Sequence, residues 1–503
     1  MDFFFNPRGI ALIGATPNPQ KGGHAILRNL RIGFKGGIYP VNPSYAEIEG
    51  MSCYPSIIDV PDPVDLGIIF VPAPLVPQVV QECARRQIPG VMIESGGFAE
   101  TGKSGAILQE AIKSIAKETG IRVWGPNCMG LVDTVKGYIF SFATPTIWDY
   151  GLKQGKVSMI VQSGMLSGAF LIDIMTHGIT GVSKVCSIGN KIDINECDIL
   201  EYLISDNHTE SICLYLESID DGRRLFSLCK TTSKPIVLLK GGKSKKGASA
   251  AMSHTASMAV NNAVLRGAMA QAGVFEARGF RHMTDLGRTL ARYPKAATKT
   301  PAKIAVLTYS GGAGIVSSDF IDSMGLEIAE LSRTTLHQLK TITPEWMPLS
   351  NPVDLWPAVE RSGARKAFGT AMRAVSSDPG VDGVLFHAFS GAFALNPDMA
   401  EIVRISRSAG KPLFCWLLGE REAARDFQER TQDLGVPVFR DLHRAVECMA
   451  AVFHKKPSAL EINESIQSKE TLLSDTLADS LENFNINKGG LIDEYVSKKI
   501  LSA

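Results

Sequence analysis

A histidine in a loop of small and basic residues is the most reactive feature of this sequence. His254 lies in Lys240–Ser257, where Lys240, Lys243, Lys245 and Lys246 are set among Gly, Ala and Ser residues. Small residues let another surface approach the backbone closely, and lysines favour an anionic visitor. An imidazole there can take a phosphoryl group on a ring nitrogen and pass it on. The same composition also suits an ordinary surface histidine. Glu217 closes the apolar run Ser211–Leu216 and precedes Ser218-Ile-Asp-Asp-Gly222. Its carboxylate can accept an imidazole N–H, fix the tautomer and leave the other nitrogen nucleophilic, or it can cap the helix that follows. Two Ser/Gly segments share one pattern. Ser163-Gly164 follows the apolar run Gly155–Val161, and Ser310–Gly314 follows Lys303–Thr308. Helix-like stretches, Ala169–Met175 and Ile315–Met324, come next. Helix amino termini offer free N–H groups and the positive end of a dipole, contributing on the order of 1 kcal/mol each toward an anion. Ser163, Gly164, Gly312, Ala313 and Gly314 are therefore the candidate phosphate ligands.

These residues must be held by strands that end in turns. In the first segment apolar runs Gly9–Ala15, Gly37–Val41, Leu66–Val71, Gly90–Glu94 and Ile121–Trp124 alternate with helical stretches such as Val76–Arg86. Continuous apolar runs suit parallel strands covered on both faces, and the alternation predicts a doubly wound sheet. Thr16-Pro-Asn-Pro-Gln-Lys-Gly-Gly23 is a turn-rich loop between a strand and the helix-like Ala25–Leu30. That arrangement makes a phosphate site of backbone N–H groups, although it does not meet the G-x-G-x-x-G fingerprint. Later strands are expected at Gly155–Val161, Val182–Ile188, Ser211–Glu217, Pro235–Leu239, Lys303–Thr308, Gly383–Ala388, Pro412–Leu418 and Val436–Phe439. Residues 456–487 are polar and read as a linker, and Ile492–Leu501 is helix-like.

At 503 residues the chain is too long for one ordinary domain. Its 52 Lys+Arg against 51 Asp+Glu give a formal net charge of +1, which favours neither nucleic acid nor an anionic membrane. The nine cysteines are scattered without a C-x-x-C pair, so no zinc knuckle or redox dithiol is expected, no metal site is assigned, and a reducing cytoplasm fits best. Met1-Asp-Phe-Phe-Phe-Asn-Pro-Arg8 does not read as a signal peptide, and no apolar run is long enough to span a membrane.

Over roughly residues 8–455 the chain resembles the NDP-forming acyl-CoA synthetases, in particular the α part of the ADP-forming acetyl-CoA synthetases and, more distantly, the succinyl-CoA synthetase α subunit. The resemblance rests on landmarks in order: Ile10–Ala15 with Asn18-Pro19, Tyr39–Pro43, Gly97–Glu100, Gly125–Cys128, Gln162–Gly164, Gly189–Lys191, Tyr215–Glu217, Gly222–Arg224, Ser253–Thr255, Gly311–Gly314 and Asn351–Asp354. It implies an α/β chain of three consecutive doubly wound domains: a Rossmann-like CoA-binding domain over 1–130, a flavodoxin-like domain over 150–295 carrying a phosphohistidine, and a second flavodoxin-like ligase domain over 301–455. A polar linker and terminal helix would fill 456–503, with no ATP-grasp domain. It further implies that His254 is phosphorylated, that Glu217 steadies it, and that the two Ser/Gly segments surround the phosphoryl group. CoA would be bound by Gly14, Ala15, Asn18, Asn42, Pro43, Val71, Pro72, Asn127 and Cys128. The cofactors implied are CoA within this chain, and ADP or ATP with magnesium on a separate ATP-grasp β-type partner in a hetero-oligomer. Ala256 and Val260 stand where the family usually has Gly, and Tyr309 where Asn is frequent. Two other functions remain open at this level: a CoA- or acyl-CoA-binding regulatory or scaffold protein without catalysis, and a partial enzyme that exchanges acyl-CoA for acyl phosphate without nucleotide.

Overall fold

The computed structural model describes residues 1–177, 180–244, 246–247, 261–294, 301–391, 395 and 397–453. His254 and the terminal segment 456–503 lie outside them. Three parallel or mainly parallel sheets follow one another. The first contains β1 (Gly9–Ile13), β2 (Gly37–Val41), β5 (Leu66–Ile69), β6 (Gly90–Ile93) and β7 (Arg122–Trp124), in the order β2-β1-β5-β6-β7. A small hairpin, β3 (Glu47–Ile48) with β4 (Met51–Ser52), stands beside it. The second sheet contains β8 (Gly130–Asp133), β9 (Tyr138–Phe140), β10 (Gln154–Val161), β11 (Val182–Ser187), β12 (Ser211–Leu216), β13 (Ile236–Lys240) and β14 (Phe275–Glu276). Its order is β14-β13-β12-β10-β11-β8-β9, with β8 antiparallel to both neighbours. The third sheet contains β15 (Lys303–Thr308), β16 (Glu327–Ile328), β17 (Val353–Asp354), β18 (Gly383–Ser390), β19 (Leu413–Gly419) and β20 (Val438–Phe439), in the order β16-β15-β18-β19-β20 with β17 paired to β15.

Each sheet reverses direction once: between β1 and β5, between β10 and β12, and between β15 and β18. Crossovers leave such a switch point open on its carboxyl side, because the flanking helices depart to opposite faces. The helices that leave these strands are α1 (Gly22–Gly33), α2 (Gly164–His177) and, after β15, a helix at Gly311–Ser323.

Two welds fix the sheets against each other. At the first, Trp124 is fully buried and its Nε1 donates to Ser187 O at 2.6 Å. Phe4 meets that indole edge-on at 5.3 Å, and Phe5 stacks on Tyr202 at 3.7 Å. The aromatic run at the amino terminus thus plugs the joint between the first and second sheets. At the second weld, α3 (Phe280–Arg292) packs on α4 (Leu442–Phe453) between the second and third sheets, and Met283, Leu286 and Leu290 share one apolar core with Val446, Met449 and Phe453. α3 also presents Asp285 and Arg288 toward α4 and the third sheet; both are 8% exposed and they pair at 2.9 Å, with Arg444 of α4 3.9 Å from Asp285. Arg288 also donates to Val438 O at 2.7 Å and lies 4.6 Å from the Phe439 ring centroid. The segment Gly130–Phe140, for which no strand is expected from the sequence, forms the hairpin that extends the second sheet.

Removing one partner of a buried ion pair leaves the other charge uncompensated at about 3–5 kcal/mol. Asp285→Ala is therefore expected to lower the urea midpoint of unfolding distinctly, whereas Glu422→Ala, on an exposed pair, leaves it within error. Circular dichroism against urea measures both.

Candidate functional site

The first switch point holds a cleft of about 830 Å³ lined by the ends of β1, β2 and β5. Three glycines shape its floor. Gly14 has φ +99°, and a Cβ there would stand 2.2 Å from Phe70 O. A Cβ at Gly23 would stand 2.1 Å from Gly14 O, and one at Gly22 would meet the Phe70 ring at 2.5 Å. The first turn of α1 therefore sits directly against the strand end, and its N-cap residue Lys21 supplies no side-chain cap. Backbone N–H groups, a helix dipole and one ammonium meet there, which is the chemistry of a phosphate site. Asn42 shapes the neighbouring turn, donating to Ala15 O at 2.7 Å and accepting from Ser44 N at 3.0 Å.

Of the residues the sequence marked for CoA, Gly14, Asn42, Pro43, Val71 and Pro72 line this cleft. Ala15 and Asn18 do not; Ala15 gives its carbonyl to Asn42, and Asn18 Oδ1 accepts from Gln20 N at 2.9 Å. Lys21, Ser44 and Ser95 line it without having been singled out. Ser95 joins two strand ends, donating to Val71 O at 2.7 Å and accepting from Val71 N at 3.0 Å. The signal for it is the Ser95-Gly-Gly97 stretch that follows the apolar run Gly90–Glu94.

Asn127 and Cys128 are not in the lining but stand behind it, where the first sheet meets the second: Asn127 N donates to Ser95 O at 2.9 Å. Asn190 N donates to Pro126 O at 2.9 Å, and its carboxamide donates to Glu100 Oε2 at 2.7 Å and Gln109 Oε1 at 2.9 Å. Asn127 Nδ2 donates to Asn190 Oδ1 at 3.4 Å. Gly189 has φ +59°, and a Cβ there would stand 2.1 Å from Pro126 O. Burial raises the pKa of Glu100, but hydrogen bonds from Phe98 N, Asn190 and Gly97 N outweigh it and hold the carboxyl below its usual range. Gly164, at the start of α2, borders the same loop: a Cβ there would lie 3.5 Å from Asn127 O. Cys128 is buried with its thiol toward Ile93 O at 3.4 Å; burial, then the nearby Glu94, pushes its pKa well up.

The second switch point carries Glu217. Val161 pairs with Tyr215 in register, so Gln162 arrives beside the end of β12. The Gln162 carboxamide is buried; Oε1 accepts from Glu217 N at 2.8 Å and Ser218 N at 2.9 Å, and Nε2 donates to Ser218 Oγ at 3.0 Å. Lys240 Nζ donates to Glu217 O at 2.7 Å. Lys191, at φ +57°, reaches beneath to Glu196 Oε2 at 2.8 Å and Ser218 O at 3.2 Å. The Glu217 backbone is thus tied on several sides, while its half-buried carboxylate has Tyr215 Oη, at 3.3 Å, as its only side-chain hydrogen-bond partner among the described residues. It does not cap the next helix, Gly222–Thr231; Asp221 does, accepting from Arg224 N at 2.9 Å.

The remaining glycines lie inside helices rather than in loops before them. Gly164 opens α2, with Ser163 O accepting from Ser167 N at 3.2 Å. Gly312, Ala313 and Gly314 form the first turn of α5, the Gly311–Ser323 helix, capped by Ser310 Oγ on Ala313 N at 3.4 Å. His387 is buried behind that cap, with Nδ1 2.9 Å from Thr308 Oγ1 and Nε2 3.1 Å from Ser317 Oγ. Burial lowers its pKa to about 3, so it stays neutral. Tyr309, half-buried, meets Phe389 edge-on at 5.7 Å. No hydrogen bond joins Ser163–Gly164 to Gly312–Gly314 among the described residues, and no cluster of three metal-ligating side chains occurs among them.

Residues 8–134 match the CoA binding domain family, and residues 154–290 the succinyl-CoA ligase like flavodoxin domain. The chain is 37% identical to the ADP-forming acetate–CoA ligase II of Archaeoglobus fulgidus over 89% of its own length and 66% of that protein's. It is 34% identical to the α subunit of the ADP-forming acetate–CoA ligase II of Pyrococcus furiosus, covering 87% of this chain and 94% of that one. Among solved structures, the dinucleotide forming acetyl-coenzyme A synthetase 1 of Ca. Korarchaeum cryptofilum, in complex with phosphate and ADP, superposes with a TM-score of 0.80 at 29% identity, over 92% of this chain and 98% of that one.

All nine cysteines are buried, so Cys128 is expected to stay neutral and unreactive in the folded chain at pH 8. Iodoacetamide followed by peptide mass spectrometry should find Cys128 unmodified in native protein and fully alkylated in urea.

Proposed function

The chain belongs to the NDP-forming acyl-CoA synthetases as an α-type member, and from that premise we propose that it is the acid–thiol ligase half that interconverts acyl-CoA, phosphate and NDP with carboxylic acid, CoA and NTP. In this reading CoA occupies the cleft at the first switch point, held through the first turn of α1 and Lys21. The domain over 1–130 binds CoA, that over 150–295 carries the phosphohistidine, and that over 301–455 adds the second helix terminus. A phosphate oxygen attacks the thioester carbonyl, the carbon–sulfur bond breaks and CoA leaves as thiolate. A ring nitrogen of His254 then attacks phosphorus in the acyl phosphate, and the carboxylate leaves. ADP, held with magnesium on an ATP-grasp partner, takes the phosphoryl group from the nitrogen. The steps are reversible.

The observation that carries the proposal is the setting of Glu217. Its backbone is clamped by Gln162 and Lys240 at a switch point, and its carboxylate has Tyr215 as its one partner among the described residues. A carboxylate so placed can accept the N–H of an imidazole and raise the nucleophilicity of the opposite nitrogen. The amino terminus of α2 begins beside the same strand end and can take the phosphoryl charge.

Incubated with phosphate, acyl-CoAs of graded size and an ATP-grasp subunit from a relative, the chain should form an acid-labile phosphohistidine detected by mass spectrometry at neutral pH. His254→Ala should abolish the label while CoA still binds, and Glu217→Gln should slow labelling by about 10²-fold or more. CoA binding without label under any acyl-CoA would instead identify a binding protein. Gly23→Ala, whose Cβ collides with Gly14 O, should weaken CoA binding more than about tenfold by calorimetry and, because the clash is with main chain, also lower the unfolding temperature.

A further inference from the structure

Six arginines converge on a cavity that none of this chemistry uses. It measures about 440 Å³ and lies at the seam of the second and third sheets, beside the end of β20. Arg281 and Arg288 come from α3, Arg421 and Arg425 from the first turns of α6 (Arg421–Asp433), and Arg440 and Arg444 from the entry to the Leu442–Phe453 helix.

The wall contains two carboxylates, and both are engaged. Asp285 pairs with Arg288 at 2.9 Å, and Asp441 Oδ1 accepts from Arg444 N at 2.7 Å. The other acids that balance the arginines are Asp173 on Arg281 at 3.3 Å, Glu422 and Glu429 on Arg425 at 3.3 and 4.0 Å, and Glu447 on Arg444 at 3.2 Å, and none of them lines the cavity. Arg421 is 97% exposed and reaches Glu422 only at 4.0 Å. Arg440 makes no ion pair among the described residues. Arg444 Nε faces Glu447 at 3.2 Å and Nη1 faces Asp285 at 3.9 Å, but both atoms are buried and neither makes a hydrogen bond. Guanidinium groups with spare donors match phosphate oxygens in pairs. Concave sites of a few hundred Å³ take small ligands rather than protein surfaces.

We propose that this cavity is a second anion site, for a small ligand carrying two or more phosphate groups. Its arginines come from both sides of the seam, so an occupant bridges α3 to α6 and clamps the second sheet to the third. The inference is independent of the reaction proposed above. The phosphate groups can belong to a nucleotide or to an inorganic polyphosphate.

The test is calorimetric titration of the full chain with inorganic tripolyphosphate and with ATP, without magnesium, beside the double variant Arg421→Gln/Arg440→Gln. Both side chains are exposed, so the variant should unfold at the wild-type temperature. One saturable site should appear in the wild type, with affinity falling at least about tenfold in the variant and raised by low salt. Competition between the two ligands distinguishes the sources: ATP displacing tripolyphosphate at far lower concentration marks a nucleotide site, and equal displacement marks recognition of the phosphates alone. Equal binding by variant and wild type, or no saturable binding, overturns the proposal. Phosphohistidine formation should be unchanged in the double variant, and a wild type that forms none leaves this site untouched.

Discussion

The carboxyl end of the second sheet depends on one buried carboxamide. Gln162 is the first residue beyond β10, and strand register sets it against the end of β12. With no charge of its own it supplies two lone pairs and one N–H to Glu217 and Ser218. Each such bond contributes about 0.5–1.5 kcal/mol net, but an unmet buried partner costs more than a met one gains. The turn after β12 therefore has one satisfied geometry. That geometry leaves a carboxylate half-exposed beside a helix amino terminus. A glutamate on a loose turn would be just another solvated acid; this one is held in place by its main chain.

The same logic repeats at each sheet. A strand pair diverges at a switch point, glycine or a small residue opens the next helix, and a polar side chain from the neighbouring strand end fixes the turn. Asn42 does this for Ala15 and Ser44, Gln162 for Glu217 and Ser218, and Thr308 with His387 for Ser310. Welding through Trp124 with Phe4, Phe5 and Tyr202, and through Asp285 with Arg288, turns three such edges into one frame. Asn190 then ties the first edge to the second through Glu100 and Pro126.

Much of this was legible in the sequence. The strands were readable because parallel strands covered on both faces need unbroken apolar runs, and because several runs give way to glycine, proline or asparagine, as at Asn42, Pro72, Gly125, Gly189 and Gly419. Glu217 and the two Ser/Gly segments stand out by their place after such runs. Other features could not be read, for identifiable reasons. Gly164 and Gly312–Gly314 looked like loop because glycine disfavours a helix interior, yet a first turn pressed against a neighbouring loop or proline ring accepts them. The hairpin Gly130–Phe140 has no pairing partner in its own segment and is specified by β11. Phe3-Phe4-Phe5 shows its purpose only beside Trp124 and Tyr202. Cys128 shared a turn with the landmark Gly125-Pro-Asn and was carried along with it, but its thiol points into the core.

Phosphorus-31 NMR of the chain labelled from phosphate and acyl-CoA, with no nucleotide present, tests the central claim most directly. If Glu217 fixes one tautomer of His254, the label should appear as a single phosphohistidine isomer in the wild type, and Glu217→Gln should lose it or spread it over both ring nitrogens. A wild-type label on both nitrogens, on another residue, or unchanged by Glu217→Gln would contradict the account.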